Sequence, residues 1–419
     1  MKNYLPRLVD QLLEKELEAF GAVLITGPKW CGKTTTGFNQ AKSALFLQNP
    51  DEREQYLRLA DIKPSILLEG KNPRLIDEWQ DAPNLWDSVR FSVDQRAETS
   101  LYILTGSTSV DESLIAHSGT GRISRLKMRT MSLFESGDSN GEIRITDLLN
   151  NRNLASKSPH SIDDIANLIV GGGWPASVDK SLDIKQRQVS GYCQAIVNTE
   201  IATADGISRD NEKVFQVLRS YSRHISTQAT IQTITRDVIN NFDSINRKTV
   251  GEYLEALQKI FVIEDLKAWS PKLRSKTVIS TSSTRHFVDP AIAAYFLDAN
   301  PEDLINDLET MGLLFESLVV RDLRIYTETL GGRVFHYRDH SGQEADAILH
   351  FKNGQWAAIE VKLGNKAIEE GAESLKKLAN KIDQDSMNPP TFLAVITASG
   401  YGYKREDGVY VIPIGCLRN

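Results

Sequence analysis

In the stretch Gly27-Pro28-Lys29-Trp30-Cys31-Gly32-Lys33-Thr34, four residues separate two glycines, and a lysine and a threonine follow the second. Residue types at that spacing can cradle phosphate. The glycines let the backbone curl so that its N–H groups point at phosphate oxygens, and a helix beginning there adds the positive end of its dipole. Lys33 is then placed to reach the β- and γ-phosphates, and the Thr34 hydroxyl to hold Mg²⁺. The flanks separate this from an accidental Gly-rich turn, because the apolar strand Ala22-Val23-Leu24-Ile25 leads in and the helix-compatible run from Thr35 to Ala44 leads out. The expectation is an ATP and Mg site built on Gly27, Pro28, Lys29, Trp30, Cys31, Gly32, Lys33, Thr34 and Thr35.

Such a site needs a second strand ending in acids. Leu75-Ile76-Asp77-Glu78 supplies one, with Asp77 supporting the metal and Glu78 orienting and deprotonating the attacking water. The strand Leu101-Tyr102-Ile103-Leu104 ends in Thr105-Gly106-Ser107, where Ser107 can sense the γ-phosphate or simply close a strand-ending turn. Gly119-Thr120-Gly121-Arg122 carries an arginine, followed by Arg125 and Arg129. An arginine finger approaches the phosphoryl group from outside its own P-loop. Arg122 is the candidate, supplied by a neighbouring subunit of a homo-oligomer as large as a hexamer; the alternative is a surface ion-pair partner.

A second group of charged residues lies near the C-terminus. Ala345 to Phe351 and Gln355 to Leu363 alternate in the period of a strand, with Asn353-Gly354 as the turn signal. A two-residue turn would put Asp346 and Glu360 on different faces. A three-residue loop, Lys352-Asn353-Gly354, with Gly354 left-handed, sets Phe351 opposite Gln355 and Asp346 opposite Glu360. It also gathers Ala345, Ala347, Leu349, Ala357, Ile359, Val361 and Leu363 into one apolar face. Asp346 and Glu360 can then share a Mg²⁺, Lys362 steadies a water or phosphate on the same face, and Glu316 on a helix from Gly312 to Thr327 completes the cluster. The plain alternative is a surface Glu360–Lys362 pair on a half-buried hairpin.

Between Thr230 and Leu266 the pattern reads helix, turn, helix: Ile231 to Asn240, a cap signal at Asp243-Ser244, then Arg247 to Ile260 with Val250, Tyr253, Leu254 and Leu257 facing inward. Arg247 and Lys248 fall in the first turn of the second helix, where a recognition helix meets DNA. Lys267, Lys272, Arg274, Lys276 and Arg285 follow with no acid among them, as in a wing that contacts phosphates. A packing or protein-docking module with a solvated charged face is the competing reading.

The elements that position these residues come from a chain of 419 residues, long enough for two to four domains. Its net charge of −6 gives no global basic field, so nucleic-acid contact must be regional. Cys31, Cys193 and Cys416 lack metal or disulfide spacing, which fits a reducing compartment. The start of the chain has no signal-peptide core and no run reads as membrane-spanning, so a cytoplasmic location without membrane contact is expected. Leu8, Leu12, Leu13 and Leu17 recur at helical spacing ahead of the P-loop strand. Short apolar strands then alternate with helix-length segments, including Ala44 to Leu47, which implies a parallel sheet covered by helices. Gly137 to Pro159 reads as a joint closing this first domain, and Ser161 to Ser226 as largely helical apart from Gly171-Gly172-Gly173-Trp174-Pro175.

Taken in order, these motifs resemble the bacterial and archaeal ATPases that join an AAA-type core to a domain called DUF4143. The resemblance runs from Tyr4-Leu5-Pro6-Arg7-Leu8-Val9-Asp10 through the P-loop, Leu75-Ile76-Asp77-Glu78, Leu104-Thr105-Gly106-Ser107, Gly121-Arg122 and Gly172-Gly173-Trp174-Pro175. It continues through Thr249-Val250-Gly251-Glu252-Tyr253-Leu254, Phe287-Val288-Asp289-Pro290, Gly312-Leu313-Leu314-Phe315-Glu316 and Ile359-Glu360-Val361-Lys362. Met131-Ser132-Leu133-Phe134-Glu135 departs from it, since relatives carry a proline before the Leu or Ser. The resemblance implies a multidomain α/β protein: an AAA-type P-loop core over residues 1–150, a helical lid over 151–226, a winged helix over 227–290 and a restriction-endonuclease-like domain, similar to PD-(D/E)XK nucleases, over 291–419. It implies an ATP-hydrolysing motor or switch on branched (Holliday-junction-like) or single-stranded DNA, with a metal-dependent nuclease-type domain attached. An ATP-gated regulatory or defence signalling protein, whose last domain only binds a partner, is the rival from another class.

Overall fold

The computed structural model describes residues 4–107, 117–241, 245–271, 282–382 and 387–419. The first body runs α1 (Val9–Ala19), β1 (Ala22–Thr26), α2 (Lys33–Gln40), β2 (Ser43–Phe46), α3 (Arg53–Ile62), β3 (Arg74–Asp77), α4 (Asn84–Arg96), β4 (Tyr102–Gly106) and β5 (Ile123–Lys127). The five strands form one wholly parallel sheet in the order β2-β3-β4-β1-β5. Strand β1 is apolar without alternation because both of its faces are covered: Val23 and Ile25 pack with Leu13 and Leu17 of α1, Ala22 and Leu24 with Trp86, Val89 and Val93 of α4. Each fully buried Leu, Ile or Val there contributes about 1.5–3 kcal/mol. The helix expected from Thr35 to Ala44 is shorter, since Ala41 is already extended and β2 begins at Ser43. Parallel strands bring all their carboxyl ends to one edge, which is where a ligand meets such a sheet.

The chain leaves β5 through α5 (Leu133–Ser136), capped by Ser132 and Glu135 in a reciprocal capping box. Beyond it the expected boundary at residue 150 does not hold. Strand β6 (Ile143–Arg144) and helix α6 (Ile145–Leu149) precede β7 (Ala155–Lys157); β6 pairs with β14 (Leu417–Arg418) at the far end of the chain, and β7 forms an edge of the C-terminal sheet. A three-residue Ala-Ser-Lys strand has no apolar pattern to betray it, and only its backbone bonds to a distant strand make it one.

Helices α7 (Ile162–Gly171), α8 (Leu182–Asn198), α9 (Asn211–Arg223), α10 (Ile231–Asn241), α11 (Arg247–Lys259), α12 (Pro290–Phe296), α13 (Pro301–Asn306) and α14 (Leu308–Thr329) follow. The break after α7 has a packing cause: a Cβ on Gly173 would lie 2.3 Å from the Met131 carbonyl oxygen, and the Met131 N–H donates to the Gly173 carbonyl. One continuous apolar core runs from Leu133 through α7–α14 to Leu417, so the expected lid, winged helix and C-terminal segments share it instead of owning separate cores. Arms on either side of 272–281 are joined by antiparallel bridges Ile263↔Phe287 and Leu266↔Thr284.

The last body contains β8 (Gly332–Arg338), β9 (Glu344–Phe351), β10 (Trp356–Lys362), α15 (Ile368–Lys381), β11 (Phe392–Thr397), β12 (Tyr401–Lys404), β13 (Tyr410–Pro413) and β14. Its seven-stranded sheet has the order β7-β12-β13-β11-β10-β9-β8. Leu314, Phe315 and Leu318 of α14 pack with Ala347, Leu349, Ala357 and Ile359 on one face. Ala372, Leu375 and Leu378 of α15 pack with Ile348, Trp356 and Ala358 on the other. The hairpin is therefore buried on both sides, not half-buried. No helix among the described residues is long and apolar enough to cross a membrane, and the three cysteines are buried and free.

Candidate active site

The parallel sheet presents the ends of β1, β3 and β4 to one cleft of about 530 Å³, lined by Lys29, Trp30, Gly32, Lys33, Thr34, Thr35, Glu78, Gln80 and Ser107 together with Gln48, Asp81 and Thr203. Gly27 and Gly32 take φ of 151° and 102°, and a Cβ on Gly27 would lie 2.1 Å from the Met128 carbonyl oxygen. That position accepts only glycine. Gly32 caps α2 without a side-chain hydrogen bond, which leaves the first-turn amides to an anion. Cys31 is buried behind the loop, and Pro28 contributes its carbonyl inward: Lys33 Nζ donates to the Gly27 and Pro28 carbonyls at 2.9 Å each. These two bonds leave the third N–H of the ammonium for a phosphate oxygen. On the rim, Lys29 Nζ lies 2.6 Å from a Glu200 carboxylate oxygen, which ties the P-loop to the short turn Glu200–Ala204 that also supplies Thr203.

At the end of β3 the Asp-Glu pair is held from behind. The Thr105 hydroxyl donates to Asp77 Oδ1 at 2.6 Å and accepts from the Glu78 N–H at 3.2 Å. Thr105 thus holds the acids, while the neighbouring Ser107 is the hydroxyl that lines the cleft. Glu78 adopts the left-handed conformation, φ 55°, uncommon for a residue with a Cβ. Gln80 Nε2 donates to Glu78 Oε2. Burial pushes the Glu78 carboxyl up, against the lowering effects of that bond and of Lys33. Thr34 and Asp77 offer hydroxyl and carboxylate oxygens, a donor set that suits a hard divalent cation such as Mg²⁺. A larger groove of about 780 Å³ between Ile62, Phe91 and Tyr102 lies toward the amino ends of the strands, away from these groups.

Arg122 stands at the opposite, amino edge of the sheet. Its Nε donates to Asp94 Oδ1 at 2.7 Å, so within one chain it is an exposed ion-pair partner that cannot reach its own P-loop. Arg129 is buried between Glu264 and Glu328 and is no finger candidate.

In the C-terminal sheet the hairpin takes the three-residue loop. His350 pairs with Trp356 and Ala347 with Ile359, the Phe351 N–H donates to Gln355, and Gly354 has φ 83°. That register sets Asp346 opposite Glu360. Asp346 Oδ2 accepts from the Val361 N–H at 2.7 Å, and Lys362 Nζ sits 2.9 Å from Glu360 Oε2. Burial and then mutual repulsion raise Glu316 well above the carboxylate range and bring Glu360 up to about 8; burial brings Asp346 up to about 6. Burial draws Lys362 down, yet Glu360 and Asp346 outweigh it. Glu316 is within electrostatic reach of the other two. Even so, among the described residues no group of three or more His, Cys, Asp or Glu side chains is arranged to hold a metal ion. The expected Mg²⁺ centre on Asp346, Glu360 and Glu316 is corrected to a carboxylate cluster, because Asp346 is engaged by a backbone amide and Glu360 by its own lysine.

Helices α10 and α11 fall where the helix-turn-helix pattern put them, with Asn246, not Asp243 or Ser244, capping the second through the Thr249 N–H; 243 and 244 lie outside the described residues. Arg247 and Lys248 are exposed in its first turn, Lys248 3.7 Å from Glu252. Lys272, Arg274 and Lys276 lie outside the described residues. Arg285 is spent on Asp265 and the Ala229 carbonyl and is not free for phosphate.

Sequence reasoning missed Gln80, Thr203, Glu200 and the Arg7–Glu135 pair. Gln80 alone had a local signal, two residues after the candidate base; the others are brought in by chain segments far away.

A parallel sheet whose central strand feeds a P-loop, with an Asp-Glu pair at the end of a second strand, defines a P-loop nucleotide-binding domain. The AAA domain matches residues 19–136 and DUF4143 residues 311–417, and the chain belongs to the proteins that combine an AAA domain with a C-terminal DUF4143 domain. A further domain of unknown function, DUF8612, matches residues 162–303 and so spans the segments expected as lid and winged helix. Uncharacterized proteins of Mycobacterium bovis and Mycobacterium tuberculosis are each 32% identical over 133 residues, covering 30% of this chain. The chain spans 29% of the length of these curated relatives. A Walker-type ATPase of Pyrococcus abyssi is similar in structure at a TM-score of 0.41 and 13% identity, over 70% of this chain and 96% of that one.

Proposed function

We propose that this protein hydrolyses ATP with Mg²⁺ and uses the cycle as a motor or switch on DNA, branched or single-stranded, as a homo-oligomer. The observation that carries the ATPase reading is the convergence of Lys33, Thr34, Glu78 and Ser107 on one cleft. The P-loop amides and Lys33 bind the phosphates, and Thr34 and Asp77 would hold the metal, which neutralises phosphate charge when bound. Glu78 takes the proton of the attacking water. Arg122, too far from its own P-loop, serves a neighbour's site in this reading.

The DNA reading rests on the exposed Arg247 and Lys248, on the basic run from Lys267 to Lys276, and on the likeness of an AAA core joined to a helix-turn-helix pattern to branch-migration motors. A nuclease-type role for the C-terminal domain is supported by Asp346, Glu360 and Lys362 standing on one face of the hairpin, with Glu316 within electrostatic reach. A second reading, an ATP-gated regulatory or defence protein whose C-terminal domain only binds a partner, is favoured by the Lys362–Glu360 ion pair, which engages one carboxylate of that cluster from within the chain. Measuring ATP turnover with and without single-stranded and four-way-junction DNA tests the two: stimulation supports the DNA-acting form, and indifference to every DNA sinks it.

A further inference from the structure

Gln80 sits in the turn Trp79–Asp81 directly after the candidate base, and the turn is anchored by Trp79, buried with its ring centroid 4.9 Å from that of Trp86. The two ends of its carboxamide are used unequally. Nε2 donates to Glu78 Oε2, whereas Oε1 is buried and accepts no hydrogen bond from any described residue. A buried acceptor left in that state is costly, on the order of 1–3 kcal/mol, and is expected where something else completes it. Gly106 at the end of β4 makes the room: a Cβ there would come within 3.0 Å of Oε1. Gln80, Glu78, Lys33 and Ser107 line one cleft.

We propose that Gln80 is a second water-holding residue of the ATPase site, an inference that rests on reading the cleft as one. Nε2 fixes the Glu78 carboxylate by one oxygen, so that the other faces the water. Oε1, buried against Gly106 in this structure, turns to accept one hydrogen of that water when nucleotide fills the cleft, while Glu78 takes the other. In the step, the water oxygen bonds to the γ-phosphorus, the bond from that phosphorus to the β,γ-bridging oxygen breaks with its electron pair leaving on ADP, and one proton passes to Glu78. The hydrogen held by Gln80 stays on the phosphate product. A rotating water offers its lone pair to phosphorus only part of the time, and two acceptors at fixed positions remove that freedom.

The test uses the full chain with MgATP, measuring phosphate release for kcat and KM and binding of a fluorescent ATP analogue for affinity. Gln80→Met, close in shape but without either polar end, is expected to lower kcat about 10- to 100-fold with analogue affinity within about threefold of wild type. In single-turnover measurements, Gln80→Met added to Glu78→Gln should cost less than about twofold more than Glu78→Gln alone, because both act on one water. Unchanged kcat in Gln80→Met, a loss confined to KM, or losses that multiply in the double variant would each overturn the assignment. If Gln80→Met does not fold, Gln80→Asn, which keeps both ends one bond short, decides the matter: lowered kcat at unchanged affinity supports it and unaltered kcat overturns it. Wild-type protein that neither binds nor hydrolyses ATP sinks the ATPase reading itself, whereas active wild type with an equally active Gln80→Met protein sinks only the role of Gln80.

Discussion

Arg7 and Glu135, far apart in the chain, meet at 3.0 Å in the interior, with side chains 4% and 2% exposed. The same guanidinium donates to the P-loop carbonyl of Cys31 at 2.7 Å and to the carbonyls of Arg129 and Thr130. Glu135 in turn caps α5, next to Leu133, whose N–H donates to Asp322 of α14. One arginine therefore stitches the phosphate loop to the segment that leads into the C-terminal body.

Arg7→Met should destabilise the protein by about 3–5 kcal/mol, because it leaves Glu135 buried and unpaired along with three carbonyls. Burial alone would raise Glu135, and Arg7 with the Ser132 and Leu8 amides outweighs it, so the folded carboxyl lies below its ordinary value of 4.5. A depressed carboxyl contributes stability that is full above that ordinary value and is lost as pH falls through the lower folded one. Denaturant titrations from pH 7 down to pH 3 should show this loss in wild type and a flatter dependence in Arg7→Met; parallel curves would remove Glu135 from the account.

At the nucleotide cleft, Lys33→Ala should abolish binding of ATP or its turnover. Glu78→Gln should keep binding and lower kcat by about 10²–10⁴. Calorimetry for affinity and phosphate release for rate separate the two, and normal turnover in Glu78→Gln would remove Glu78 from the chemistry.

Arg122→Ala should slow hydrolysis by about 10³ with little change in ATP affinity if the residue acts across a subunit boundary. Mixing that protein with Lys33→Ala chains, which retain Arg122, should recover part of the activity. Absence of recovery at any ratio speaks for the Asp94 ion pair as the whole role of Arg122.

Glu360→Ala should remove any Mg²⁺- or Mn²⁺-dependent DNA cleavage and leave ATP hydrolysis intact, since the two sites lie in different sheets. Cleavage that survives the substitution would place nuclease chemistry elsewhere or in a contaminant. No cleavage by wild type on any DNA would favour the partner-binding form of the domain.

Neutralising Arg247, Lys248, Lys272, Arg274 and Lys276 together should weaken DNA binding and flatten its salt dependence by about 0.9 per lost phosphate contact. Fluorescence anisotropy across a salt series reads this directly. An unaltered slope would move the contact surface away from α11 and the basic run that follows it.

Sequence alone determined the features that are local in the chain. The P-loop, the Asp-Glu strand end and helices α1, α10, α11 and α14 are legible because phosphate geometry and a 3.6-residue period write themselves into consecutive residues. The hairpin register was legible too: only the three-residue loop sets Asp346 opposite Glu360 while keeping Ala347, Leu349, Ala357 and Ile359 on one face. The tertiary structure alone decided what depends on segments meeting from afar. Strands β6 and β7 exist because β14 and β12 offer them backbone partners, and their few residues carry no pattern of their own. Glu200 reaches Lys29, Arg7 reaches Glu135 and Arg129 reaches Glu264 only after the helices have packed. Charged residues have no periodicity that names a partner; burial selects it, since a charge taken out of water must find its counterion wherever the fold brings one.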